Sequence, residues 1–136
     1  LDSGRTITAD ETLTHVDCEG GFFALAHVKT GAMSGASTTL DIYIQQSDDE
    51  GSNYYMAGKF QQLLPTSDNV YMKIPVYIRR PDTAGEKTRV RVRYEVAGTT
   101  PSYVITRTWL EPMLSLGVPA TDEALTEGLC AEVAAI

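Results

Sequence analysis

Cysteine is scarce: Cys18 and Cys130 are the two thiols in 136 residues. Two thiols close one bridge at most and cannot complete a zinc site alone, so a disulfide scaffold is excluded. No apolar run approaches the ~20 residues that carry a helix across a bilayer, so no helical membrane span is expected. The opening Leu1-Asp2-Ser3-Gly4 has neither a basic nor an apolar leader pattern, and no signal peptide is expected there. Basic charge is also short, with 11 Lys and Arg against 18 Asp and Glu and a net charge of −7. That balance argues against a general nucleic-acid binder. Motifs of chemistry are missing as well. There is no Gly-x-Ser-x-Gly elbow, no phosphate-cradling Gly-Lys-Ser/Thr loop and no His-Glu-x-x-His helix. The expectation is a protein that is not an enzyme and needs no cofactor.

What is present is ordinary apolar content, 43%, and regular punctuation. A chain of this length buries roughly two-thirds of the surface that it exposes when unfolded, enough for a real core. Gly20-Gly21, Gly31, Gly35, Asp48-Asp49-Glu50-Gly51, Ser67-Asp68-Asn69, Pro81-Asp82-Thr83-Ala84-Gly85 and Gly98-Thr99-Thr100-Pro101 each interrupt a β-rich run. Short strands at such spacing predict an all-β sandwich or barrel.

The runs can be read in turn. Residues 12–16 alternate weakly. Residues 22–29 are mostly apolar, as in a central strand covered on both faces. Residues 39–45 set Leu40, Ile42 and Ile44 on one face and Asp41, Tyr43 and Gln45 on the other. Residues 53–63 are aromatic and irregular. Residues 70–78 turn Val70, Met72, Ile74, Val76 and Ile78 inward. Pro75 cannot donate to a ladder, which predicts an edge or bulged strand there. Residues 87–97 turn Val90, Val92, Tyr94 and Val96 inward and Arg89, Arg91, Arg93 and Glu95 outward, and residues 103–110 close the set. Two antiparallel sheets would bury these dry faces against each other. The fold expected is an antiparallel β-sandwich over residues 1–110, jelly-roll or immunoglobulin-like, with residues 111–136 as a C-terminal arm. Thr121-Asp122-Glu123-Ala124 in that arm has the pattern of a helix start.

Charge is segregated along the chain. Residues 73–107 hold eight basic and three acidic side chains, +5, and the remainder carries −12. Alternation puts Arg89, Arg91 and Arg93 on one strand face. If residues 70–78 lie beside them, Lys73 and Tyr77 join the row and Arg79 lies just beyond. The expectation is a basic, partly aromatic protein-docking face made of Lys73, Tyr77, Arg79, Arg89, Arg91 and Arg93, since arginine suits bidentate pairing with carboxylates. The alternative is a solvated face whose arginine stems cover apolar surface.

Other clusters read as structural. Residues 47–53 are dense in oxygen ligands, but they lack EF-hand spacing, and Asp and Gly are also what a hairpin turn wants. His15-x-x-Cys18 would need further ligands to hold a metal, so none is expected. His15 with Asp17 suggests catalysis only if a nucleophile joins them.

Several of these segments together resemble a family. They are Val16-Asp17, the run Phe22-Phe23-Ala24-Leu25-Ala26-His27-Val28, the loop Gly31-Ala32-Met33-Ser34-Gly35, and Thr39-Leu40-Asp41-Ile42-Tyr43-Ile44-Gln45-Gln46-Ser47-Asp48-Asp49. Thr88-Arg89-Val90-Arg91-Val92-Arg93-Tyr94 and Gly98-Thr99-Thr100-Pro101-Ser102 complete the pattern. The chain from about residue 12 to residue 110 is similar to the small β-sandwich proteins encoded among the structural genes of tailed bacteriophages and prophages. The resemblance rests on strand and turn motifs and brings no active site or cofactor with it. It implies a virion component made in the host cytoplasm, a capsid decoration (cement) protein on the capsid surface. Its implied partners are the major capsid protein and further copies of itself, as a trimer, with neither nucleic acid nor membrane. Alternatives are a tail, neck or head–tail connector protein, or a carbohydrate- or receptor-binding module. The last would use exposed aromatics drawn from Tyr54, Tyr55, Tyr71, Tyr77, Tyr103 and Trp109.

Overall fold

Strict alternation of Val90, Val92 and Tyr94 with three arginines commits one strand to a dry face and a wet face, and its partners follow the same rule. In the computed structural model, which describes residues 1–113, those inward residues are fully buried. The elements are β1 (Arg5–Ile7), β2 (Glu11–Thr12), β3 (Val16–Cys18), β4 (Phe22–Ser47), β5 (Tyr55–Lys59), β6 (Tyr71–Ile78) and β7 (Thr88–Met113). No helix occurs among the described residues. The candidate C-terminal helix lies outside them, and β7 runs three residues past the expected domain boundary at 110.

The architecture is an antiparallel β-sandwich built on one long ribbon. β4 and β7 pair antiparallel from Phe23↔Met113 to Ser47↔Arg89, and each strand crosses both sheets. In the first sheet β6 lies beside residues 22–29 of β4, followed by residues 105–113 of β7 and then β1. In the second sheet β5 flanks residues 43–46 of β4, and β2 and β3 flank residues 88–94 of β7.

Residues 22–29 and 39–45 were expected as separate strands, as were 87–97 and 103–110. The ladder instead runs through a corner marked by register shifts between Lys29 and Thr39. Both partners bend at the same place, so pairing survives the turn residues. Gly98 sits there at φ 98°, and a Cβ on it would come within 2.4 Å of the Ser37 carbonyl oxygen. Only glycine fits such a crossing without strain.

The two sheets close on a core of Ile7, Ala24, Ala26, Val28, Leu40, Ile42, Ile44, Val76, Ile78, Val90, Val92, Tyr94, Tyr103 and Ile105, among others. Tyr94 spans the layers from the second sheet. Its hydroxyl lies 2.7 Å from the Asp2 carboxylate and 2.9 Å from the Thr108 hydroxyl of the first sheet. Burial pushes the Tyr94 phenol far above its ordinary pKa, so it stays a donor to Asp2. At the other end the Gln46 amide donates to the Tyr77 carbonyl and accepts from the Arg79 N–H, again joining the layers.

The first expected strand, 12–16, proves to be two short ones, β2 and β3. β1, whose Ile7 is fully buried, gave too short a pattern to be read. The irregular run 53–63 is a strand only over Tyr55–Lys59, after which Phe60 and Leu63 drop into the core. β6 is an edge strand laddered to β4 alone, as Pro75 predicted.

Candidate functional site

The fold turns two outer faces to solvent, and their composition differs. On the second sheet, Arg89, Arg91 and Arg93 stand in a row opposite Ser47, Gln45 and Tyr43 of β4. Each guanidinium is held. Arg93 donates to Glu95 at 2.8 Å and to the Thr12 hydroxyl at 2.7 Å. Arg91 donates to Gln45 at 2.8 Å and lies 3.5 Å over the Tyr54 ring. Arg89 is 3.8 Å from Asp17. Lys59 pairs with Asp41 at 3.2 Å and lies over Tyr43. Three arginines and Lys59 therefore meet Asp17, Asp41 and Glu95, leaving this face close to charge balance. Each guanidinium has five N–H donors; Arg91 uses one and Arg93 two, and Arg89 only faces Asp17. At the edge of this sheet Arg79 pairs with the buried Asp48 at 2.9 Å and covers the Tyr55 ring. Tyr55 and Met56 stay exposed nearby, Met56 by 62%.

The expected single docking face is not assembled. β6 pairs with residues 22–29 of β4 and never with the arginine strand. Lys73 and Tyr77 therefore lie on the outer face of the first sheet, opposite His27 and Phe23. The error is one of neighbour choice. Alternation assigned each residue to a face of its own strand, but register and sheet membership come from long-range pairing. The +5 segment is consequently shared between two faces.

The outer face of the first sheet is aromatic. Its rows read Tyr77–Phe23–Met113, Pro75–Leu25–Glu111, Lys73–His27–Trp109 and Tyr71–Lys29–Arg107. Phe23 and Tyr77 pack at 5.0 Å between ring centroids. The rings of His27, Tyr71 and Trp109 are parallel within 5°, with centroids 4.7 to 6.1 Å apart. His27 is only 5% exposed although it points outward. Its Nδ1 lies 2.6 Å from the Tyr71 hydroxyl and its Nε2 2.8 Å from a Glu111 carboxylate oxygen. A ring protonated on Nε2 satisfies both contacts, donating to Glu111 and accepting from Tyr71. The Arg107 guanidinium lies 4.8 Å over Trp109. Beside these groups is a groove of about 630 Å³ lined by Lys29, Tyr71, Thr106, Arg107 and Trp109. Reading the chain in isolation did not single out His27, Lys29 or Arg107. Their shared parity with Trp109 and Tyr71 was visible, but the register that stacks them was not.

The acidic turn is self-satisfied. The Ser47 hydroxyl donates to Asp49 at 2.6 Å, Asn53 donates twice to Asp49, and Asp48 is taken by Arg79. The donors from Ser47 and Asn53 hold the Asp49 carboxyl down to about 2. Among the described residues no three His, Cys, Asp or Glu side chains gather as for a metal ion. His15 lies 3.6 Å from Asp17, and Asp17 also faces Arg89. Burial, then the charges of Asp17 and Glu19, push the Cys18 thiol up, which disfavours a reactive thiolate. Cys130 lies outside the described residues.

No family model matches the chain, and no curated protein matches it. The chain is similar to a solved structure described as "CBM4 structure and function", at 13% identity and a TM-score of 0.41. The similarity covers 76% of this chain and 59% of the length of that one.

Proposed function

We propose that the protein is a non-enzymatic structural component of a tailed-phage virion, a capsid decoration protein that docks on the major capsid protein through the outer face of its second sheet. The observation that carries the reading is the pre-ordered arginine–tyrosine surface. Arg89, Arg91 and Arg93 are fixed by Asp17, Gln45, Tyr54, Glu95 and Thr12, yet keep donors free. Holding long side chains before contact lowers the entropy lost on docking. Arginine, tyrosine and methionine are the side chains enriched where proteins meet, and Tyr54 and Met56 adjoin the row. The flat strand face suits a broad protein contact, and a sandwich whose layers are cross-linked by Tyr94 suits a clamp that must not deform. The strand and turn motifs shared with phage structural proteins supply the virion context, including self-association as a trimer.

The test is to mix the protein with expanded empty capsids and image the particles. Decoration predicts density across the shell lattice. Density confined to the portal vertex or the tail would move the protein to the connector or tail class. Replacing Arg89, Arg91 and Arg93 together with glutamine should lower shell occupancy about tenfold or more, as for loss of an interface hot spot. Unchanged occupancy in a correctly folded variant would remove this face from the assignment.

A further inference from the structure

We infer that the groove between β6 and the C-terminal half of β7 binds an acidic saccharide, with a sugar ring against the exposed Tyr71 ring and its carboxylate between Lys29 and Arg107. This goes beyond the docking reading and does not rest on it, because the groove lies on the opposite sheet.

Three observations converge. First, the aromatic lining is already assembled: the Tyr71 and Trp109 rings are stacked parallel within 5° with centroids 6.1 Å apart, Trp109 is held by His27 and Arg107, and Tyr71 is 52% exposed. The exposed Tyr71 ring can receive the C–H face of a pyranose without reorganising. Second, the Tyr71 ring is held by a polar relay centred on His27, which is itself 5% exposed. His27 Nε2–H donates to the Glu111 carboxylate, and His27 Nδ1 accepts from the Tyr71 hydroxyl. A nearly buried histidine at an outward strand position, with both nitrogens satisfied, fixes the Tyr71 ring instead of leaving it to rotate. Third, the lining charge is of one sign. Lys29 and Arg107 flank the rings, neither forms an ion pair among the described residues, and no carboxylate lines the groove. On a chain of net −7, two cations without a carboxylate partner among the described residues, Arg107 lying over Trp109, select a compact ligand with one or two negative charges. A long polyanion would be repelled by the rest of the surface. The volume of about 630 Å³ is in the range of small-ligand clefts, room for one or two sugar rings. Thr106 adds a hydroxyl to the rim. His27 and Glu111 are positioning residues, since neither lines the groove.

The experiment is calorimetric titration of the full chain with sialyllactose and with oligogalacturonate, using lactose as the neutral control. Binding of either acidic probe, with about tenfold preference over lactose, is the expected result. Tyr71→Ala should weaken that binding about tenfold with an unchanged circular dichroism spectrum, since Tyr71 is half-exposed. Lys29→Gln with Arg107→Gln should erase the preference for the acidic probe. His27→Gln, which keeps a donor and an acceptor, should retain more affinity than His27→Ala. Shell occupancy should be the same for Tyr71→Ala as for the unaltered protein. Failure of both acidic probes to bind, equal binding by the groove variants, or tighter binding of an oligonucleotide or an acidic peptide in this groove would overturn the inference. None of these outcomes bears on whether the arginine face docks on a shell.

Discussion

The two outer faces both carry cations and aromatic rings, in different proportions, and do different things with them. On the second sheet each cation is spent on a neighbour: Arg93 on Glu95 and Thr12, Arg91 on Gln45 and Tyr54, Lys59 on Asp41. On the first sheet the acid, Glu111, is spent on His27, and Lys29 and Arg107 stand without a carboxylate partner among the described residues, Arg107 lying over the Trp109 ring. The first arrangement is flat and knits four strands together. The second is grooved and leaves charge for something else. Electrostatic character therefore follows from which partners register brings alongside, and the number of arginines in a segment does not reveal it.

The comparison breaks most completely if the layers part. Tyr94→Ala removes the side chain that crosses the sandwich and should destabilise the fold by about 4 kcal/mol, measured by urea unfolding. Tyr94→Phe keeps the ring but takes one donor from the buried Asp2 carboxylate, and should cost about 2 kcal/mol. Next comes the corner that lets one ribbon serve two sheets. Gly98→Ala meets the Ser37 carbonyl at a positive φ and should cost about 3 kcal/mol, with a smaller change if the corner can relax.

Smaller substitutions separate the faces. His27→Ala removes a nearly buried ring, two hydrogen bonds and the stack on Trp109, and should cost about 2 kcal/mol. Arg91→Ala removes one exposed cation–π contact and one hydrogen bond, and should cost about 1 kcal/mol. Equal losses at the two positions in thermal melts would contradict the difference drawn between the faces.

The smallest effect is set by pH in the turn that ends β4. The Asp49 carboxyl lies below its ordinary value of 3.8, at about 2, because Ser47 and Asn53 donate to it. A group depressed in the folded state stabilises above its unfolded value and loses that contribution as pH falls. Stability from this turn should thus be intact above about pH 4 and fade as pH drops through about 2. NMR titration of the Asp49 side chain checks the value, and Asn53→Ala should raise it.

Much of the fold was legible along the chain. The inward rows of residues 39–45, 70–78 and 87–97 and the two-layer packing follow from period-two burial, and the edge position of the Pro75 strand from its missing N–H. The acidic turn was legible too, because Asp, Ser and Gly satisfy one another locally. The faces were half legible. Arg89, Arg91 and Arg93 share a side because one strand alone decides that. Lys73 and Tyr77 would join them only if residues 70–78 paired with the arginine strand, and they stand on the other sheet.

What the amino-acid order determined by itself is whatever acts within a few residues: which side chains face in, where the backbone must turn, where a proline bars a second partner. Tertiary structure alone decided that β4 and β7 pair along their whole length and bend together, which strands adjoin, and which distant cations meet carboxylates or aromatic rings. Those outcomes depend on contacts such as His27 with Glu111 or Tyr94 with Asp2, between residues 84 and 92 positions apart. Alternation along one strand carries no information about which partner will lie beside it, so register was set only when the two sheets closed on a common core.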